Sequence, residues 1–307
     1  MGHDHAGHSH GVDATSNPRW LWVALGLNFA FMVVEVVVGL IANSVALLSD
    51  AAHMLTDTAS LGLALGAITL AARPPSGSFT FGLKRSEILS AQLNGASLLV
   101  LAAWLGFEAV GRLSDPPAVE GGLVIVVGVL GALVNLAAAM SIARANRTNL
   151  NVEGAYLHNL ADLWSSVAAV AAGVVIVTTG FDQADGIAAL TVCALMLWGG
   201  FGLIRDSGRI LLEGAPKGME PDEIGRALAA QPGIVEVHDL HVWEVTSGFP
   251  ALSAHVLVAA GDDCHARRRE LQRVLEERFG IEHTTLQVDH ERERQLIELE
   301  ESGPSWT

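Results

Sequence analysis

Residues 43–72 read NSVALLSDAAHMLTDTASLGLALGAITLAA, an apolar run long enough to cross a bilayer, with a histidine and an aspartate four residues apart in its first half. About 20 predominantly apolar residues span the hydrocarbon core, and residues at i and i+4 lie on one helix face. His53 and Asp57 therefore project together, with Asp50 about one turn earlier. A charged aspartate near mid-membrane costs roughly 2.5–3.5 kcal/mol on insertion scales. It needs a partner.

The partner is foreshadowed in a second run, AYLHNLADLWSS (155–166), where His158 and Asp162 repeat the spacing and the order. At about 1.5 Å rise per residue, both pairs fall near the middle of a bilayer about 30 Å thick and can meet at one depth. Two imidazole nitrogens and two carboxylate oxygens suit a tetrahedral divalent ion of borderline softness, above all Zn²⁺. Cu⁺ favours sulfur ligands and Mg²⁺ or Mn²⁺ mostly oxygen, whereas Co²⁺ and Cd²⁺ remain compatible.

Outward from these two runs, six segments qualify as spans: roughly 20–42, 45–72, 87–112, 121–143, 153–179 and 185–207. Half of the 307 residues are hydrophobic and 17 % are charged, the balance of a polytopic membrane protein with a polar appendage. Eighteen basic against 33 acidic residues, a net charge of −15, argue against nucleic acid, which demands a basic footprint. Cys193 and Cys264 form no CxxC and read as a packed residue and a surface thiol. The polar first eighteen residues are not a cleavable signal peptide.

Arg19, Arg73, Lys84, Arg85, Arg144, Arg147, Arg205 and Arg209 fall on one side of a six-pass arrangement, and Arg112 falls on the other with Asp115, Glu120, Asp182 and Asp185. The positive-inside rule makes both termini cytoplasmic. Trp20, Trp22 and Trp104 lie nearer segment ends, as interfacial aromatics do, and Trp164 and Trp198 lie further in. Gly62 and Gly66 form a GxxxG, read as helix packing.

After the Gly- and Pro-rich stretch EGAPKGMEPDE (213–223) the pattern changes. An amphipathic helix near 220–230 precedes two β-rich runs, GIVEVHDLHVWEV and ALSAHVLVAA, joined by SGFP. A second helix near 264–278 carries Leu271, Val274, Leu275 and Phe279, and HTTLQVD closes an αββαβ module. Apolar parity changes between Val237 and Leu240, so a bulge or break is expected at His238–Asp239. The expected organisation is a polar His-rich tail over 1–18, six transmembrane helices over 19–210, a cytoplasmic α+β domain over 211–292, and a flexible tail over 293–307.

SVALLSDAAHMLTD, FTFGLKRSEILSAQLN, AYLHNLADLWSS, VHDLHVWEVTSGFPALSAHV and HTTLQVD together resemble a cation diffusion facilitator of the zinc-transporting type, over about residues 18–290. The resemblance implies a homodimer, a C-terminal domain of ferredoxin-like, metallochaperone-like form used for dimerisation and regulation, and metal export from the cytoplasm driven by inward protons. It also implies that His238, His255, His265 and Asp289 bind regulatory Zn²⁺ in that domain, with Gln287 standing where some members have a ligating histidine. His241, His283 and His290 read as surface residues, and residues 73–86 lack the ligands that some relatives carry there.

Physics supplies a matching mechanism. Metal ligation requires deprotonated ligands, so loading releases protons and protonation ejects metal. Glu35 and Asp50, with Asn28 and Asn135, are candidates for the ion pathway, because ionisable or polar groups at this depth are functional by default. Glu108 lies near the outer end of the third span. His3, His5, His8 and His10 form a short metal-scavenging tract or a plain polar tail. Two other readings compete: an intramembrane metallohydrolase, which lacks the glutamate of HExxH beside either pair, and a membrane-bound zinc sensor with structural metal and no transport. The absence of an organelle address leans towards a bacterial inner membrane.

Overall fold

A computed structural model describes residues 18–41, 45–114, 121–145, 147, 149–181 and 183–291. The histidine-rich opening and the closing tail lie outside the described residues, as do the side chains of Glu35, Asp50, His53 and Glu108. The chain divides into two units, one of Met1–Gly214 with Glu244–Phe249 and one of Ala215–Trp243 with Pro250–Thr307.

Six long helices make the first unit: α1 Pro18–Ile41, α2 Val45–Ala71, α3 Ser86–Ser114, α4 Gly121–Ile142, α5 Leu150–Thr179 and α6 Gln183–Leu211. Among the described residues α3 to α6 are long and apolar enough to cross a membrane, and α1 and α2 hold shorter apolar stretches, Arg19–Val34 and Asp57–Ala71. Large apolar side chains point outward along them, including Trp22, Trp104, Phe107, Trp164, Trp198 and Phe201. Water would not tolerate so much exposed apolar surface, and lipid does. Trp164 and Trp198, deeper in their helices, thus face out of the bundle rather than into it.

Small residues let the helices close on each other. A Cβ on Gly200 of α6 would lie 3.1 Å from the Gly95 carbonyl oxygen of α3, and one on Gly128 of α4 would lie 2.8 Å from Val170 Cγ2 of α5. Gly62 and Gly66 behave otherwise. A Cβ at either meets nothing within 4 Å among the described residues, so the described residues do not make the packing expected of this GxxxG. Elsewhere α1, α2, α4 and α5 share a core of Leu21, Ala24, Leu61, Ala64, Leu65, Ala138, Ile142, Val152 and Ala155.

The start of α5 is fixed by polar groups. Asn149 is its N-cap, with Oδ1 accepting from the N–H of Asn151 at 2.9 Å while Nδ2 donates to Glu87 Oε2 at 2.8 Å. The turn Glu244–Phe249, which groups with the helices, adds the buried Thr246 hydroxyl, 3.2 Å from the Lys84 carbonyl and 3.4 Å from Glu87 Oε2. Ser247 Oγ accepts from the N–H of Leu150 at 3.1 Å. Donors left over at a helix start are satisfied in this way.

In the second unit the order is α7 Pro221–Ala229, β1 Ile234–Glu244, β2 Pro250–Val258, α8 Cys264–Phe279 and β3 His283–His290. The sheet runs β1-β2-β3, with β2 and β3 parallel and His255 opposite Gln287. Both helices cover one face, where Ile224, Leu228, Leu271 and Leu275 pack on Val242, Leu252, Ala254 and Val256. Val237 and Leu240 both reach this core, and between them Asp239 adopts φ 49°. That positive φ is where the parity change placed a break. Asp263 caps α8, and Gly280 ends it at φ 66°, the left-handed conformation that favours glycine.

Candidate metal centre

Two clusters of metal-ligating side chains occur among the described residues, one in each unit. The first joins α2 and α5: Asp57, His158 and Asp162 offer ligand atoms within 4.8 Å of one another. His158 Nε2 donates to Asp57 Oδ1 at 2.8 Å, and Asp162 Oδ2 lies 4.0 Å from the same nitrogen. Histidine and Asp57 are almost fully enclosed, with side chains 2 % and 3 % exposed. His158 Nδ1 is buried with no hydrogen-bond partner among the described residues. His53 stands one turn before Asp57 on α2, and its side chain lies outside the described residues.

The helical repeat put one histidine and one aspartate on each of two runs, at a depth where they can meet. The short contact runs between helices, from His158 to Asp57, while the His158–Asp162 separation along α5 is longer. Beside it, Asn28 Nδ2 on α1 donates to Asn159 Oδ1 at 3.2 Å, and both residues are fully buried. This bond ties a third helix to the residue next to His158. Asn135, also buried, carries an Oδ1 with no partner among the described residues. Glu35 and Asp50 lie on α1 and α2, their side chains outside the described residues.

The second cluster is His238, Asp239 and His255 on β1 and β2. His255 Nδ1 lies 3.6 Å from Asp239 Oδ2, and the two imidazoles meet edge to face with centroids 5.4 Å apart. Asp239 was missed by spacing alone, although its place at the parity break was a usable signal, because a bulge re-aims the residues around it. Asp289 shares the exposed side of the sheet by register, and its Oδ2 accepts from Gln287 Nε2 at 2.8 Å. His265 sits at the start of α8, where its backbone N–H donates to Asp263, and is not part of the cluster. His241 and His290 are exposed, and His290 Nε2 is 2.8 Å from the Asp262 carbonyl oxygen.

Family comparison fits both units. Residues 21–212 match the cation efflux transmembrane domain, and residues 216–291 match the cation efflux protein cytoplasmic domain. The chain belongs to the cation efflux family, the cation diffusion facilitators. Among relatives, the cadmium, cobalt and zinc/H(+)-K(+) antiporter of Bacillus subtilis is 38 % identical over 93 % of this chain and 92 % of its own. The metal cation efflux system protein CzcD of Cupriavidus metallidurans is 39 % identical over 92 % of this chain and 90 % of its own. Zinc transporter ZitB of Escherichia coli is 38 % identical over 95 % and 93 %. A cation efflux protein is a transporter and not an enzyme, so the hydrolase reading is set aside. The membrane helices and the αββαβ domain are those of the family.

Proposed function

We propose that this cation efflux protein exports Zn²⁺ from the cytoplasm in exchange for protons, with Cd²⁺ or Co²⁺ as further cargo, through a tetrahedral site formed by His53, Asp57, His158 and Asp162. The observation that carries this reading is the 2.8 Å contact between His158 Nε2 and Asp57 Oδ1. A carboxylate oxygen accepts, so the proton of that bond resides on Nε2. Zinc needs the same nitrogen lone pair.

A tetrahedral ion with bonds of about 2.0–2.1 Å sets neighbouring ligand atoms about 3.3 Å apart. The pair at 2.8 Å would open by about half an ångström, and Asp162 Oδ2, now 4.0 Å from Nε2, would close by a similar amount. Either a proton or the ion can occupy the gap between the enclosed His158 and Asp57 side chains. Competition between the two in two access states is antiport. The names of the Bacillus subtilis and Escherichia coli relatives favour the same cargo and counter-ion.

The cytoplasmic cluster supports a regulatory Zn²⁺ held by His238, His255 and Asp239, with Asp289, on the same side of the sheet by register, as a further candidate and His265 apart from it. The match to a cytoplasmic domain of efflux proteins supports a homodimer paired through the second unit. Basic residues on one side of the spans support cytoplasmic termini in a bacterial inner membrane. Zinc uptake into proteoliposomes tests the proposal. Flux should follow an imposed proton gradient and vanish in Asp57→Ala and in Asp162→Ala; gradient-independent flux, or flux intact in both variants, would remove it.

A further inference from the structure

Two cations converge on one aromatic ring at the end of the helical unit. The Arg19 guanidinium lies 5.2 Å from the Trp20 ring centroid and the Arg144 guanidinium 5.0 Å from it, so the two charges are within about 10 Å of each other. They arrive on separate spans, Arg19 at the start of α1 and Arg144 two residues beyond α4. Trp20 is half-buried against the core around Leu21 and Ile142, which fixes the ring.

Nearby Arg147 shows how an arginine at this end is ordinarily satisfied. It makes two hydrogen bonds to the Glu153 carboxylate, at 2.9 and 3.0 Å, and lies 3.8 Å over the Tyr156 ring. Its pKa rises above the usual value because of that carboxylate. Arg19 and Arg144 have the aromatic face and no carboxylate partner among the described residues. A ring quadrupole attracts each cation without neutralising it, and two like charges held on one ring repel. A counter-anion would balance them.

We propose that Arg19, Trp20 and Arg144 form a docking site for the phosphodiester headgroup of an anionic phospholipid. Guanidinium forks match phosphate oxygens in pairs. The apolar stretch Arg19–Val34 begins at the first arginine, and Ile125–Ile142 ends just short of the second, which sets both at headgroup level. Free phosphate has the same headgroup chemistry, but Trp22 and Val23 stand exposed directly beside the charges on α1, an apolar continuation that only a lipid with acyl chains uses. The inference rests on the chain spanning a bilayer and not on what it transports.

Native mass spectrometry of the full chain, titrated with phosphatidylglycerol or phosphatidylcholine, tests it. The wild type should retain phosphatidylglycerol preferentially. Arg19→Gln and Arg144→Gln should each weaken it about fivefold and together about 30-fold, Arg19→Lys/Arg144→Lys should keep most of the affinity, and Arg147→Gln should leave it unchanged. Phosphatidylcholine retention and zinc uptake in phosphatidylcholine vesicles should match wild type in the double Gln variant, showing that it is folded. Unchanged phosphatidylglycerol binding in that variant would overturn the site, and displacement of the lipid by equimolar inorganic phosphate would overturn the lipid as its occupant.

Discussion

The two metal-ligating clusters use the same chemistry in opposite surroundings. In the membrane unit, the side chains of Asp57, His158 and Asp162 are 3 %, 2 % and 16 % exposed; on the sheet, those of His238, Asp239 and His255 are 40 %, 68 % and 46 % exposed. Water reaches the second cluster and can replace any ligand that lets go. The first is largely enclosed by the described residues, so its buried charge calls for a proton or a metal ion. On the proposed reading, the difference separates a site that exchanges one cation for another from one that titrates gradually with metal concentration.

Ligand loss breaks this comparison most sharply. Asp57→Ala should reduce zinc flux by more than the roughly 10–100-fold typical of losing an outer-shell partner, since it removes both a ligand and the acceptor of the His158 bond. Asp239→Ala and His255→Ala should weaken zinc binding by the second unit about tenfold or more while flux at saturating zinc persists, as read by zinc titration and vesicle uptake on the same preparations. Equal loss of flux from both clusters would erase the distinction.

Packing gives a smaller effect with the same contrast of enclosed against open. Gly200→Val puts a side chain against the Gly95 carbonyl oxygen and Leu99 Cδ2, at 3.1 and 3.0 Å from its Cβ, and should cost about 1–3 kcal/mol in thermal unfolding. Gly62→Val, facing open space, should change stability little in the protomer. A large loss at Gly62 would mean that its face is covered in the assembled protein.

The smallest effect belongs to an exposed cap. The N–H groups of Ala266 and His265 hold the Asp263 carboxyl below its ordinary value of 3.8. A carboxyl depressed in the folded state adds stability above its unfolded pKa and loses it as pH falls through the lower folded value. Amide protection, the exchange rate relative to the free-chain rate at the same pH, should therefore fall in the first turn of α8 only below about pH 3.8, and Asp263→Asn, which still caps, should lose that pH dependence. Protection already lost at neutral pH in the wild type would contradict the capping bond.

Helix positions were legible because lipid demands unbroken apolar runs; each of the six helices lies within a few residues of its run. The parity change at Val237–Leu240 was legible too, since a period of two leaves no other way for both residues to reach the core. Which atoms touch across helices was not. Spacing set the His53/Asp57 and His158/Asp162 pairs at one depth, where the two runs can meet, but did not say that Asp57 and His158, 101 residues apart, make the short contact. The same holds for Asn28 and Asn159, 131 residues apart, and for Asp239, whose side chain joins the imidazoles only because the backbone turns through φ 49°. Local pattern fixes which residues are present at a depth, and tertiary packing decides which of them touch.

Proton release on zinc binding tests the central claim most directly. With purified protein in weak buffer, zinc loading of the membrane site should release protons, and apparent affinity should rise about tenfold per pH unit for each proton displaced. The release should be lost in His158→Ala and persist in His238→Ala/His255→Ala. Zinc binding to the membrane site that releases no proton and has the same affinity across pH would contradict the exchange of ion for proton between His158 and Asp57.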